Sequence, residues 1–317
     1  MARVVVLGGV LAELSVRVGR MPAAGERIEG EGTHAEPGGH GGNVAVAAAK
    51  MGVDAALVSA VGDDALGQMA LEGLARAGVD CSRVRSLPRL ATGVAMAWEC
   101  ADGGHAVTDP GATRTLGASD ARLAGTAGER GVWFVTRADC PEEALVAGLR
   151  AAREAGMRSL MAPAGPVCAG ALSLADVVSL DAAACEALAG AVPTDEASCR
   201  EAAARVRGRG ASGDATLVFA LGLAGSFCLD AAGRLAHVPA IETGVVDVRA
   251  AGDAYVGALA AGLACGLEVS QAMTLGNAME GITLGRPGGQ RSIPDANVVG
   301  MVMRNSTRNS CGVFRSC

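Results

Sequence analysis

Apolar runs alternate with amphipathic stretches along most of the chain, a pattern typical of strands and helices that follow one another. The first run, Arg3 to Leu7, is rich in valine and ends at a pair of glycines, as a buried strand does. Further predicted strands cover 131–136, 157–162, 176–180 and 215–221, and predicted helices cover 141–155, 182–190, 195–208, 251–265 and 268–284. Such alternation indicates a mostly parallel sheet covered by helices on both faces.

Two segments do not fit this alternation. Residues 10–36 alternate loosely without helical periodicity, and residues 92–110 form a pair of strand-like runs around a Gly-Gly turn. We predict that both segments form exposed strands that project from the main sheet. At the C-terminal end, residues 304–317 match no packed element and are predicted to be a mobile tail. One folded domain is then expected over residues 1–303.

Composition narrows the class of protein. The chain has 317 residues, of which 50% are hydrophobic and 19% are charged, so it can bury a sizeable core and is not a disordered protein. Its net charge is −6 and no basic run precedes the predicted tail, which argues against a nucleic-acid partner. No apolar stretch of about 20 residues predicts a membrane span, and the ten cysteines include no Cys-x-x-Cys pair. We therefore expect a cytoplasmic protein with no membrane partner.

The basic residues restrict how the chain can bind phosphate. Lys50 is the only lysine, and it is followed by Met51. The sequence therefore contains no Gly-Lys-Ser/Thr phosphate-binding loop. Any phosphate must be bound by backbone amides and arginines.

The strongest candidate for chemistry is the motif Asp-Val-Arg-Ala-Ala-Gly-Asp at 247–253, which leads into a predicted helix. Its small residues let consecutive amides converge at a helix N-terminus, where the helix dipole adds about half a positive charge. Such a nest can hold a transferring phosphoryl group. Asp253 lies at its mouth, where a carboxylate can accept a proton from an attacking hydroxyl. The alternative is an aspartate that caps an ordinary helix.

A second glycine-rich block reads Gly-Gly-His-Gly-Gly-Asn at 38–43 and is followed by Gly-Asp-Asp at 62–64. Its functional interpretation is a close approach of backbone to a polyhydroxyl ligand, with the Asn43 amide bonding to hydroxyls. The alternative is a flexible loop with Asn43 as a helix cap.

Together these two blocks resemble the two signatures of the ribokinase-like (PfkB) carbohydrate kinase family. The turn at Gly222 and the loop from Arg286 to Pro294 are also similar to parts of that family, and the likeness extends from Val4 to about Val299. The resemblance implies a three-layer α/β sandwich with a mostly parallel central sheet. It implies that 10–36 and 92–110 form a small β-sheet lid, which in many relatives also mediates dimerisation, so a homodimer is expected.

The resemblance also implies a reaction, the transfer of a phosphoryl group from ATP, with Mg²⁺, to a hydroxymethyl group of a sugar or nucleoside. Asp253 would be the catalytic base, and the amides of Ala250, Ala251 and Gly252 would form the anion hole. The residues implied to contact the sugar are Gly39, Gly41, Gly42 and Asn43, with Glu13 and Asp139 as further candidates. Those implied to serve the nucleotide and its phosphates are Asp181, Gly222, Gly225 and Asn277. A K⁺ ion would be held mainly by backbone oxygens of Asp247, Arg249, Thr283, Arg286, Gly288 and Ser292.

Three positions depart from the family pattern. Leu11 and Glu13 stand where ribose-phosphorylating relatives commonly carry Asn and Asp, and Ala184 stands where the family has the Glu of an Asn-x-x-Glu motif. These departures motivate a second hypothesis, a catalytically weak or inactive relative that binds a sugar or nucleoside. An NAD(P)-dependent oxidoreductase ranks third, because Gly8 and Gly9 follow the first strand but no Gly-x-Gly-x-x-Gly motif is present.

Overall fold

Two separate sheets organise the computed structural model, which describes residues 3–100, 103–126, 131–165 and 167–307. In chain order the strands are β1 (Arg3–Leu7), β2 (Leu11–Arg17), β3 (Glu31–Gly38), β4 (Asp54–Gly62), β5 (Asp80–Leu87), β6 (Thr92–Cys100), β7 (Gly103–Gly111), β8 (Val132–Thr136), β9 (Arg158–Met161), β10 (Val177–Leu180), β11 (Thr216–Ala220), β12 (Ser226–Leu229) and β13 (Leu235–Val238). The helices are α1 (His40–Lys50), α2 (Ala65–Arg76), α3 (Ala118–Thr126), α4 (Glu142–Glu154), α5 (Ala169–Leu172), α6 (Ala182–Ala189), α7 (Glu196–Gly208), α8 (Ala251–Ala264), α9 (Val269–Leu284) and α10 (Ala296–Thr307).

The larger sheet has the order β13-β12-β11-β10-β9-β8-β1-β4-β5. Its strands are parallel except β12 and β13, which pair antiparallel with β11 and with each other. Side chains of β1 alternate between two cores, with Val4 and Val6 on the face of α1, α8 and α9, and Val5 and Leu7 on the face of α4 and α7. The predicted three-layer sandwich with a mostly parallel sheet is confirmed.

The smaller sheet has the order β3-β2-β6-β7. Strands β2 and β6 pair in parallel, and β3 and β7 pair antiparallel on either side of them. These strands come from the two segments predicted to project from the main sheet, at 10–36 and 92–110. The predicted second, smaller sheet is therefore confirmed.

Some boundaries differ from the prediction. Helix α1 begins at His40, so Asn43 lies within its first turn and does not cap it, and the capping alternative is wrong. Helix α10 runs to Thr307 and takes in the first four residues of the predicted tail, while 308–317 lie outside the described residues. None of the helices in the described ranges is long and apolar enough to span a membrane.

Candidate active site

Asp253 lies in the first turn of α8, at the carboxyl edge of the central strands. It does not cap the helix, because the N-cap position belongs to Ala250, which adopts left-handed backbone angles of φ 58° and ψ −2°. The capping alternative for Asp253 is therefore wrong. The Cβ that an alanine would place at Gly252 meets no atom within 4 Å, so the space before the first amides of the helix is open. The amides of 250–252 are thus carried by a helix start with room for an anion, as an anion hole requires.

The Asp253 side chain is 4% exposed, yet polar groups surround its carboxylate. The imidazole Nδ1 of His40 lies 2.9 and 3.2 Å from its two oxygens. Asn43 donates its side-chain N–H to the same carboxylate at 2.9 Å, and Arg137 Nε lies 3.1 Å from it. A buried carboxylate is thus held between a histidine, an amide and a guanidinium.

These neighbours fix the charge of the carboxylate. Burial alone raises the pKa of Asp253, but the charge and hydrogen bond of His40, followed by the charge of Arg137, outweigh it and leave that pKa below its ordinary value. The same attraction, chiefly the charge of Asp253, raises the pKa of His40 to about 9 against the effect of burial. At neutral pH Asp253 is therefore ionised and His40 protonated. An ionised carboxylate is what a catalytic base requires.

The glycines of 38–43 are explained first by packing. A Cβ at Gly41 would lie 2.5 Å from the Gly8 carbonyl carbon, and one at Gly39, where φ is +89°, would lie 2.7 Å from the Gly9 oxygen. At Gly42 the nearest contact, with Leu74, is an ordinary 3.6 Å. The absence of side chains therefore lets α1 start directly against the loop that follows β1. Whether these three glycines also contact a sugar stays a prediction.

Both ends of the Asn43 amide bond within the chain. Its nitrogen donates to Asp253, and its oxygen accepts a hydrogen bond from Gln290 Nε2 at 3.1 Å. This arrangement positions Asp253 and connects α1 to the loop after α9. Asn43 thus lies beside Asp253, and its contact with a sugar stays a prediction.

The two further sugar candidates are placed differently. Asp139 accepts a hydrogen bond from the Gly9 N–H at 2.9 Å, and its other carboxylate oxygen is buried with no hydrogen-bond partner in the described part of the chain. The contact of Asp139 with a sugar hydroxyl stays a prediction. Glu13 is instead engaged by Arg249, whose Nη1 lies 3.3 Å from it. Burial outweighs the charge of Arg249 and raises the pKa of Glu13 above its ordinary value.

Arg137 was not anticipated from the sequence. It directly follows β8, its side chain is 6% exposed, and its guanidinium spans two carboxylates, with Nη2 lying 3.4 Å from Asp181. A signal was present, because a charged residue placed immediately after a buried central strand of a parallel sheet lies at the edge where ligands bind. His40 and Gln290 were likewise given no role in advance.

The predicted nucleotide residues are only partly brought together. Gly222 and Gly225 form the turn between β11 and β12 with positive φ angles of 57° and 82°. Asn277 is buried and uses its amide within the chain, where it accepts from the Ser226 hydroxyl and donates to the carbonyls of Val238 and Pro239 at 3.0 and 3.1 Å. Asn277 therefore fixes α9 to β12 and β13, and its predicted approach to the adenine stays a prediction.

Asp181 caps α6 by accepting the Ala184 N–H at 2.9 Å through one oxygen, and its other oxygen faces Arg137. Ala184 itself is buried and contributes no polar side chain.

The six residues predicted for K⁺ share the region between the anion hole and the loop after α9. Asp247 accepts hydrogen bonds from Arg249 and from the Gly288 N–H. The hydroxyls of Thr283 and Ser292 donate to backbone carbonyls, at 2.7 Å each, and the Arg286 N–H donates to the Thr283 carbonyl. Within the described ranges no group of three or more His, Cys, Asp or Glu side chains could hold a metal ion.

The chain is similar to known proteins in sequence and in fold. The model of the pfkB family of carbohydrate kinases matches residues 1–296. A ribokinase of Mus musculus is 28% identical over 301 residues, which cover 92% of each chain, and one of Haemophilus influenzae is 25% identical over 292 residues, covering 91% of this chain and 94% of the relative. The solved Arabidopsis thaliana ribokinase complexed with ribose and ATP superposes with a TM-score of 0.86 at 23% identity, over 96% of this chain and 99% of that one.

Proposed function

The chain belongs to the pfkB family of carbohydrate kinases and is an ATP-dependent sugar kinase, and we propose that Asp253 is its catalytic base. The proposal has the acceptor, a sugar or nucleoside, present a hydroxymethyl group to this carboxylate. The observation that carries it is an ionised, buried carboxylate at the start of α8, beside open space in front of the first amides. Carboxylates whose pKa values are shifted by burial together with specific charge partners are concentrated at functional sites.

The chemistry follows from these groups. As the hydroxyl oxygen attacks the γ-phosphorus, its proton becomes acidic and passes to Asp253. The negative charge on the phosphoryl oxygens is met by the amides of Ala250, Ala251 and Gly252 and by the α8 dipole. Arg137 lies between Asp253 and Asp181 and adds a positive charge at the same place.

Mg²⁺ would be held mainly by the phosphate oxygens of ATP, with Asp181 and Glu280 as candidate protein ligands. One oxygen of Asp181 caps α6 and the other faces Arg137 at 3.4 Å, while burial, followed by the charge of Asp181, raises the pKa of Glu280 to about 7. Two such carboxylates, together with phosphate oxygens, suit the octahedral oxygen ligation of Mg²⁺. The bound ion would supply neutralisation of the phosphate charge. Glu280 would then supply the carboxylate for Mg²⁺ that is missing at position 184, where the family has Glu and this chain has Ala.

We further propose one kinase domain over residues 1–303 with its lid at 10–36 and 92–110. A homodimer through the lid is supported by two large apolar side chains that the lid sheet exposes, Met96 at 42% and Val107 at 56%. A cytoplasmic location is supported by Cys185, Cys199 and Cys228, which are buried free thiols.

The test is a coupled ADP-release assay over a panel of sugars and nucleosides, with wild type, Asp253→Asn and the control Asp214→Asn. Asp214 is exposed and belongs to the loop between α7 and β11. We expect Asp253→Asn to lower kcat by about 100- to 10,000-fold and the control to leave it unchanged. Thermal unfolding and sugar binding by calorimetry verify that the Asp253→Asn protein is folded.

Turnover of Asp253→Asn at the wild-type rate would refute the assigned base. If wild type binds a sugar or nucleoside but releases no ADP with any of them, the protein is a binding relative, the alternative that Ala184 and Leu11 raise.

A further inference from the structure

Asp247 is saturated by hydrogen bonds from its own loop. Its Oδ1 accepts the Arg249 backbone N–H at 2.9 Å and lies 3.1 Å from Arg249 Nε. Its Oδ2 accepts Arg249 Nη2 at 2.6 Å and the Gly288 N–H at 2.9 Å. A carboxylate has about four lone-pair sites, and four donors already occupy this one.

Arg249 is also surrounded by carboxylates of the lid. Its Nη1 lies 3.3 Å from Glu13 on β2 and 3.8 Å from Glu36 on β3, and its Nη2 lies 3.3 Å from Glu99 on β6. The side chain is 21% exposed, and the hydrogen bond to Asp247, partly opposed by burial, raises the pKa of Arg249 further above its ordinary value. A permanent positive charge is therefore fixed one residue before Ala250.

The side chains of this donor set leave K⁺ no free oxygen. The only anionic oxygens among the six predicted ligands are those of Asp247, and these already face a guanidinium that would repel the ion. The hydroxyls of Thr283 and Ser292 point at backbone carbonyls. Asp247 and Arg249 thus form an internal ion pair at the predicted K⁺ site.

We propose that the Arg249 guanidinium takes the place of the monovalent cation beside the anion hole, so that this kinase needs no K⁺. The proposal rests on the proposed function. The guanidinium binds Asp247 with two parallel contacts and holds the 247–250 loop, and with it the helix start that carries the anion hole. Because the charge is covalently attached, its effect does not depend on the salt present.

The first experiment compares wild-type turnover in KCl and in tetramethylammonium chloride at equal ionic strength. Tetramethylammonium is too large to be bound by carbonyl oxygens, so we expect kcat/KM values within about twofold of each other. Activation by K⁺ of about tenfold or more would overturn the proposal.

The second experiment uses Arg249→Ala, with Arg17→Ala as its control. Arg17 also lies near Glu99, at 3.8 Å, but is 63% exposed and far from Asp247 in the chain. Removal of the Arg249 side chain takes the guanidinium away from Asp247 and from three lid carboxylates, so we expect turnover to fall in tetramethylammonium and to recover about tenfold in K⁺. The turnover of the Arg17→Ala control should be the same in KCl and in tetramethylammonium chloride. A folded Arg249→Ala protein that turns over normally in tetramethylammonium would overturn the proposal.

Thermal unfolding separates this inference from the proposed function. A cation that binds the folded state raises Tm by mass action. We expect K⁺ to leave the Tm of wild type unchanged relative to tetramethylammonium and to raise that of Arg249→Ala by about 2 °C or more. A K⁺-dependent rise in the wild-type Tm would refute the inference even for a protein that turned over no sugar. If Arg249→Ala does not fold, the Tm and turnover of wild type in K⁺ and in tetramethylammonium still test whether the protein needs K⁺.

Discussion

Stability should depend on the protonation of His40, and His40→Gln is the perturbation that tests this. The imidazole lies 2.9 Å from Asp253, and its pKa rises from 6.5 to about 9, chiefly through the charge of that carboxylate. Below pH 6.5 the histidine is protonated in the folded and unfolded states alike, so the pair contributes its full stabilisation. As the pH rises from about 6.5 to about 9 the unfolded chain loses this proton first, and the contribution disappears.

The size of the effect follows from the two pKa values. At about 1.4 kcal/mol for each pH unit, the rise corresponds to at most ~3.4 kcal/mol of unfolding free energy. The His40 side chain is 48% exposed, however, although its ring faces a buried carboxylate. Water screens a pair of this kind, so we expect wild type to lose about 1–2 kcal/mol more than His40→Gln over this interval.

The assay is urea unfolding of wild type, His40→Gln and His34→Gln at a series of pH values from about 6 to about 9.5. His34 lies exposed on β3 and serves as the matched control. Buried thiols also cause losses at high pH, since burial raises the pKa of Cys140 to about 12, but such losses are common to all three proteins and cancel in their differences. Parallel pH dependences for wild type and His40→Gln would refute the reasoning.

Two further predictions concern the surroundings of Asp253. Replacement of Arg137 by Gln removes a buried guanidinium 3.1 Å from the carboxylate, so kcat should fall by about tenfold or more. The circular dichroism spectrum should stay native. Unchanged turnover would contradict the role given to the positive charge of Arg137. In α8, Gly257→Ala places a Cβ 2.4 Å from that of Ala47 and should lower the free energy of unfolding by ~1–3 kcal/mol. The Cβ of Gly252→Ala meets no atom within 4 Å, so this variant should lower kcat but not Tm. A loss of stability in the Gly252 variant, or none in the Gly257 variant, would contradict the packing described.

Most of the fold could be predicted because its central strands are buried on both faces. A strand such as β8, with five buried residues in succession, leaves an unbroken apolar run in the sequence. The elements that were missed lack that signal. Strand β5 lies at a sheet edge and carries Asp80, Arg83 and Arg85, and β13 at the opposite edge has only four residues, none of them buried. Helix α10 was overlooked because its apolar positions run directly into the polar residues taken for a tail.

The position of Asp253 could be predicted, but its partners could not. The motif at 247–253 identifies a carboxylate at a helix start, because local spacing determines that geometry. His40 and Arg137 precede Asp253 by more than one hundred residues, and only the parallel sheet brings the start of α1 and the end of β8 to the same edge. Asn277 and Arg249 show a different failure of prediction. The family resemblance assigned them to ligands, but their side chains form hydrogen bonds within the chain.

Burial of the catalytic carboxylate is useful only because of these distant partners. A closed site strengthens the interaction of the anion hole with the phosphoryl group, since water no longer screens it. The same burial, acting alone, would raise the pKa of Asp253, and a protonated aspartate cannot accept the hydroxyl proton. His40 and Arg137 reverse that effect, and Asn43 adds a neutral donor. A carboxylate so stabilised is a weak base toward a free hydroxyl, but the hydroxyl becomes acidic as its oxygen bonds to phosphorus. The proton can therefore move late in the reaction, when the anion hole already holds the transferring group.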